Sequence, residues 1–250
     1  STISGNHASG VAAVAGGLSI SGTSNITLSD TIISNNTAAA EGGGVVVNNG
    51  ATAEFNNTTI SGNTSGSDGG GIEITVNANV IINNSVISNN TASDRGGGID
   101  IIDGGTTSSS LTVTNSTISG NTATNLGGGI SSASVGSTGS SVETTINNST
   151  ISSNHADFGG GIFAFGSVAN TLNINTSTIS SNIADTSGGG LRLENVAVDI
   201  DNSTITNNTA VTGSGIYITQ TTVSSLDLYS TIVAQNTNNS DITDGSTATV

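Results

Sequence analysis

Hydrophobic residues are sparse in this 250-residue chain, but their positions repeat. Pairs of aliphatics separated by one residue recur as Ile72/Ile74, Ile99/Ile101, Leu191/Leu193 and Ile216/Ile218. A second set reads Val80/Ile82, Leu111/Val113, Leu172/Ile174 and Val198/Ile200, and each pair is followed at a fixed offset by a lone Ile. Alternation with period two is the signature of strands. The lone Ile opens a phrase, Ile-Ser-x-Asn, whose Asn falls at Asn6, Asn36, Asn63, Asn90, Asn121, Asn154, Asn182, Asn208 and Asn236. Between phrases lies a glycine step followed by an aliphatic, as in Gly96-Gly97-Gly98-Ile99 and Gly127-Gly128-Gly129-Ile130.

Three short strands per repeat cannot bury their apolar faces alone, whereas stacked repeats can. The pattern predicts an all-β, right-handed parallel β-helix of about nine coils, each of about 28 residues and three strands. Residues 1–250 read as one domain, with coils over 1–236 and an irregular tail over 237–250. Equivalent Asn side chains one coil apart, about 4.8 Å, are expected to chain their amides into a structural ladder. A second column, Asp30, Asn57, Asn84, Asn115, Asn148, Thr176, Asn202 and Ser230, suits amide chaining or left-handed corners. The longest insertions, about Ile102 to Ser110 and Ala133 to Glu143, fall at one corner, where solenoids carry binding loops or tolerated drift.

Composition narrows the function classes. Pro, Cys, Met and Trp are absent, and 17 acidic residues face only two basic ones, Arg95 and Arg192, for a net charge of −15. Proline's exclusion fits strands inside ladders that need every N–H. Without Cys there are no disulfides, thiolate nucleophiles or thiolate-bound metals. Two cations cannot neutralise a run of phosphates, so no nucleic acid is expected as a partner. No apolar run reaches the about 18 residues of a membrane helix, and membrane insertion is not expected.

Candidate chemistry is thin. The residue between the two core positions of the first strand points outward and forms a column: Ser19, Val46, Glu73, Asp100, Ser131, Phe163, Arg192, Tyr217. Glu73 and Asp100, with Asp103 nearby, are the best acid cluster and a weak candidate for calcium. No base stands beside them, and His7 and His155 lie several coils apart, so an enzyme is not expected. Phe163, Phe165, Arg192 and Tyr217 form a candidate ligand-binding surface for a glycan or partner protein. The third strand presents Thr and Ser outward, for example Thr117/Ser119 and Thr150/Ser152, a grid that an ice-binding solenoid also shows.

The alternation of Ile118-Ser119-Gly120-Asn121 with Gly127-Gly128-Gly129-Ile130 resembles the repeats of chlamydial polymorphic outer membrane proteins. The chain as a whole is similar to bacterial secreted right-handed β-helix repeat proteins. That resemblance implies the fold and an extracellular or cell-surface location, and more loosely adhesion or surface architecture. Both ends of the array read as uncapped, which suggests either a segment of a longer array or end-to-end self-association into filaments. The leading expectation is a non-enzymatic extracellular structural protein, a unit of a surface layer or head-to-tail filament. A carbohydrate- or host-binding adhesin segment is the alternative, ahead of ice binding or polysaccharide cleavage. No cofactor is expected beyond weak calcium.

Overall fold

The computed structural model describes residues 1–104, 108–135, 140–166, 169–219 and 225–245. Parts of the two long insertions (105–107 and 136–139) and the tail 246–250 lie outside the described residues.

The chain winds as a parallel β-solenoid. Sheet 1 has nine strands, from Leu18–Ser21 to Ile242–Asp244. Sheet 2 has eight, from Asn25–Ser29 to Ser225–Tyr229, and sheet 3 has nine, from Thr2–Ser4 to Ile232–Ala234. Every strand pairs in parallel with its equivalent in the next coil, as Ile72 with Ile99 and Ile87 with Ile118. Beyond the three expected strands per coil, a short strand after each of the first seven ladder Asn forms sheet 4, from His7–Ala8 to Ile183–Ser187. Its buried positions are small, such as Ala38, Ala92 and Ala123, because the coil narrows there.

The core is a column of aliphatics. Ile72, Ile74, Ile99 and Ile101 of sheet 1 meet Val80, Ile82, Leu111 and Val113 of sheet 2 and Ile60, Ile87 and Ile118 of sheet 3, all within 1% of full burial. One coil departs from this. Ser132 and Thr144 replace the aliphatics and satisfy each other through a 2.9 Å hydroxyl bond, so that neither carries an unpaired buried group.

The corners explain the remaining sequence columns. The corner between sheets 2 and 3 is left-handed throughout: φ runs from 48° at Asn148 to 52° at Asn115, and even the β-branched Thr176 adopts 50°. This backbone demand is uniform, whereas the column's side-chain amides meet only at Asn57–Asp30 and Asn148–Asn115 among the described residues. At the glycine corner only the first glycine needs positive φ, as Gly96 at 60°. The next two are fixed by packing: a Cβ on Gly97 would stand 2.5 Å from the Gly128 carbonyl oxygen, and one on Gly98 would stand 2.6 Å from that of Gly129.

The segment after Asn236 is not wholly irregular. Ile242–Asp244 closes sheet 1 by pairing with Ile216–Ile218, because Ser240-Asp241-Ile242 takes the register of Ser214-Gly215-Ile216.

Candidate functional site

Two systems of polar residues are built into the solenoid. The first is the Asn ladder, and the structure places all nine expected residues in it. Each Asn donates its backbone N–H and its Nδ2 to Oδ1 of the next, at 2.8–3.0 Å over eight steps from Asn6 to Asn236. From Asn36 onward, Nδ2 also donates to the carbonyl of the phrase Ile one coil back, as Asn121 to Ile87 at 3.0 Å. Each side chain therefore ties three coils together. A second ladder was not read from the sequence. Thr58, Ser85, Ser116, Ser149, Ser177 and Ser203 follow the left-handed corner, donate their hydroxyls to the carbonyl two residues back, and from Ser85 on accept the backbone N–H of the preceding coil at about 3 Å. Its signal was the Ser or Thr that follows every corner residue.

The second system is the outward column of sheet 1. It is not the exposed surface expected. Val46, Glu73, Asp100, Ser131 and Phe163 are all at most 5% exposed. From Gly42 to Gly213 the first glycine of each corner takes positive φ and turns the chain back over the sheet, so that the residue just before it, five positions ahead of the outward residue, begins a cover; at the first corner Ala15 takes the positive φ and Ser19 stays exposed. Arg95, Leu126 and Phe158 pair with one another along this cover, above Asp100, Ser131 and Phe163.

The acid cluster is corrected in consequence. Asp103 has the parity of Ile99 and Ile101, faces the interior, and accepts a 3.0 Å bond from Ser109; it lies across the sheet from Asp100. Glu73 and Asp100 are adjacent and buried, with Glu73 Oε2 and both oxygens of Asp100 lacking hydrogen-bond partners. Their counter-charge is Arg95, which grips Asp68 of the coil before through Nε–Oδ1 (3.1 Å) and Nη2–Oδ2 (2.8 Å) and holds Nη2 3.8 Å from Asp100 Oδ2. One cation cannot neutralise three acids. Burial, then the charges of Asp100, Asp68 and Glu41, push Glu73 well above the ordinary carboxyl range, with Arg95 opposing. Burial likewise lifts Asp100 to about 7 against the pull of Arg95. Among the described residues no group of three or more acidic or His side chains is arranged to hold a metal ion.

The ligand candidates are brought together, but largely against each other. The Arg192 guanidinium sits 4.4 Å from the Phe158 ring centroid and 5.4 Å from that of Tyr217, and bonds Glu194 (2.7 Å) and Ser187 (2.5 Å). Phe163 lies under the cover and stacks on Phe165 at 6.5 Å between centroids. Phe165 stays half-exposed. With Phe163, Arg95, Leu126, Ala133, Val135 and Glu194 it lines a groove of about 240 Å³. Of the histidines, His155 pairs with Asp185 at 3.0 Å on the surface and His7 is exposed.

The profile described as right-handed β-helix region matches residues 1–138. The chain belongs to the right-handed β-helix family. That match fixes the hand of the winding and covers more than half of the sequence. No curated protein and no solved structure matches the chain. Within the described residues of this β-helix no helix is long and apolar enough to cross a membrane. The fold itself hosts enzymes and non-enzymes alike, so any role must rest on the two polar systems.

Proposed function

We propose that this β-helix is a non-enzymatic structural rod of the cell exterior, a building unit of a surface layer or filament. The observation that carries the reading is the unbroken Asn ladder. Eight consecutive steps spend buried amides on holding one coil to the next, which favours a stiff rod of fixed rise. Nine coils at about 4.8 Å each give a length of roughly 43 Å. Both basic residues, the only sites for trypsin, are held in ion pairs, Arg95 with Asp68 and Arg192 with Glu194, which suits persistence outside the cell. The location is supported only by the resemblance of the Ile-Ser-x-Asn and Gly-Gly-Gly-Ile phrases to bacterial secreted and chlamydial repeats.

A second reading, a glycan-binding adhesin segment, is favoured by the groove beside Phe165. Electron microscopy of the purified chain with and without calcium, run beside a glycan array, separates the two. Uniform single-helix rods or fibres, unchanged by calcium and without a glycan hit, support the structural role. A glycan bound by the native chain and lost in Phe165→Ala overturns it in favour of adhesion. Antibody label confined to the interior of lysed source cells removes the exterior location.

A further inference from the structure

Asp241 occupies the register position held by the last corner glycine, just before the sheet 1 strand, in every earlier coil. Those glycines are forced by the coil stacked on them. A Cβ on Gly17, Gly44, Gly98, Gly190 or Gly215 would stand 2.4–2.7 Å from a backbone carbonyl oxygen of the next coil and 2.8–3.1 Å from Nδ2 of the stacked ladder Asn. A side chain fits in this slot only where no further coil is stacked. At Asp241 the slot is filled, and the carboxylate does what the missing Asn would do. Its Oδ1 accepts the Asn236 backbone N–H at 3.0 Å and the Asn236 Nδ2 at 2.8 Å, the same pair of bonds every ladder step makes.

We infer that Asp241 is a built-in stop for the ladder: it satisfies the donors of Asn236 itself and bars another coil from stacking there in register. A following segment of chain or a second copy of this chain must displace the Asp241 turn before the ladder can continue. The stop thus gates the end-to-end assembly considered above, and that gating part rests on the structural-rod reading. The stop itself does not. Its two neighbours agree with this role: the Ser214 N–H donates to the Ser240 carbonyl at 3.0 Å and the Ile216 N–H to the Asp241 carbonyl at 2.8 Å, so the turn is seated as a coil is.

The test compares Asp241→Gly, which empties the slot and restores the residue type of every other coil, with Asp241→Asn, which keeps a carbonyl oxygen at the same place. Hydrogen exchange at the Asn236 backbone amide reads the stop; sedimentation across a concentration series reads assembly. The stop predicts Asn236 exchange at least about tenfold faster in Asp241→Gly and near native in Asp241→Asn. Unchanged exchange in Asp241→Gly overturns it. Concentration-dependent, end-to-end association of Asp241→Gly, with the native chain remaining single, supports the gate. Faster exchange in a variant that stays single at every concentration keeps the stop and overturns end-to-end assembly.

Discussion

The Asn ladder and the covered column of sheet 1 run side by side through the same coils, yet one repeats a single residue and the other never settles on one. At the ladder, every coil supplies Asn because each position must accept two N–H groups and donate to two oxygens in fixed directions. Only a side-chain amide offers that combination at that length. In the column the requirement is merely that a cover residue and the residue five positions on fill the space between them. Asp68 five residues before Glu73, Arg95 before Asp100, Leu126 before Ser131 and Phe158 before Phe163 are four different solutions. Positions that complete the backbone's hydrogen bonding are dictated by geometry, whereas positions that only fill space admit charge, aromatic or hydroxyl pairs.

The comparison breaks most visibly at Asn121. Its replacement by Ala leaves the Asn90 N–H and one of the two Asn90 Nδ2 hydrogens without partners inside the solenoid and takes one donor from the Ile87 carbonyl. At about 1–3 kcal/mol for each orphaned donor, the cost is expected to be about 2–6 kcal/mol in urea unfolding. The same change at the exposed Asn6 is expected to cost about 1 kcal/mol or less. Equal losses at both positions would mean that burial is not what gives the ladder its strength.

The middle of the range belongs to Asp100. Its carboxyl titrates near 7 in the fold against about 3.9 unfolded. The folded chain therefore holds the proton more tightly, and the contribution of Asp100 to stability is full below about pH 4 and is lost as pH rises through about 7. Asp100→Asn keeps the shape of the neutral acid and removes this loss. The variant is expected to be more stable than the native chain at pH 8 by on the order of 2 kcal/mol, less than the full shift because the attraction to Arg95 goes too. At pH 4 the difference should vanish. Chemical denaturation at the two pH values decides it, and a variant less stable at pH 8 would mean that the acid is held as its anion by Arg95.

The two systems were also unequally legible. The ladder could be read because one residue type recurs at the coil period, and the strands because apolar residues alternate. The cover could not be read from outward parity alone: period two says which way Glu73 and Phe163 point, not that the chain folds back over them. The clue was local, acidic and basic or aromatic partners five residues apart across the glycines, as in Arg95/Asp100 and Phe158/Phe163. It becomes meaningful only once the first glycine is known to turn left-handed. Asp103 was misplaced for a simpler reason, since the alternation Ile99, Ile101, Asp103 already aims it inward. Asp241 was hidden because a carboxylate does not resemble the glycine whose place it takes.

The smallest expected effect tests whether the variable column is as tolerant as its diversity implies. Arg192 looks like a keystone, flanked by two rings and bonded to Glu194 and Ser187. Its side chain is nevertheless 18% exposed, and that of Glu194 is 20% exposed. Water can therefore replace the ion pair when the guanidinium goes, and the two cation–ring contacts are of the partly solvated kind, about 0.5–1 kcal/mol each. Arg192→Ala is expected to cost about 1 kcal/mol in the same urea assay, with no dependence on pH between 5 and 8, since the residues it leaves behind are not buried acids. Arg192→Met should recover part of that by refilling the space between Phe158 and Tyr217. A loss matching that of Asn121→Ala would erase the distinction between the two systems, and the cover would then have to be counted as part of the frame that fixes the coils rather than as filling laid over it.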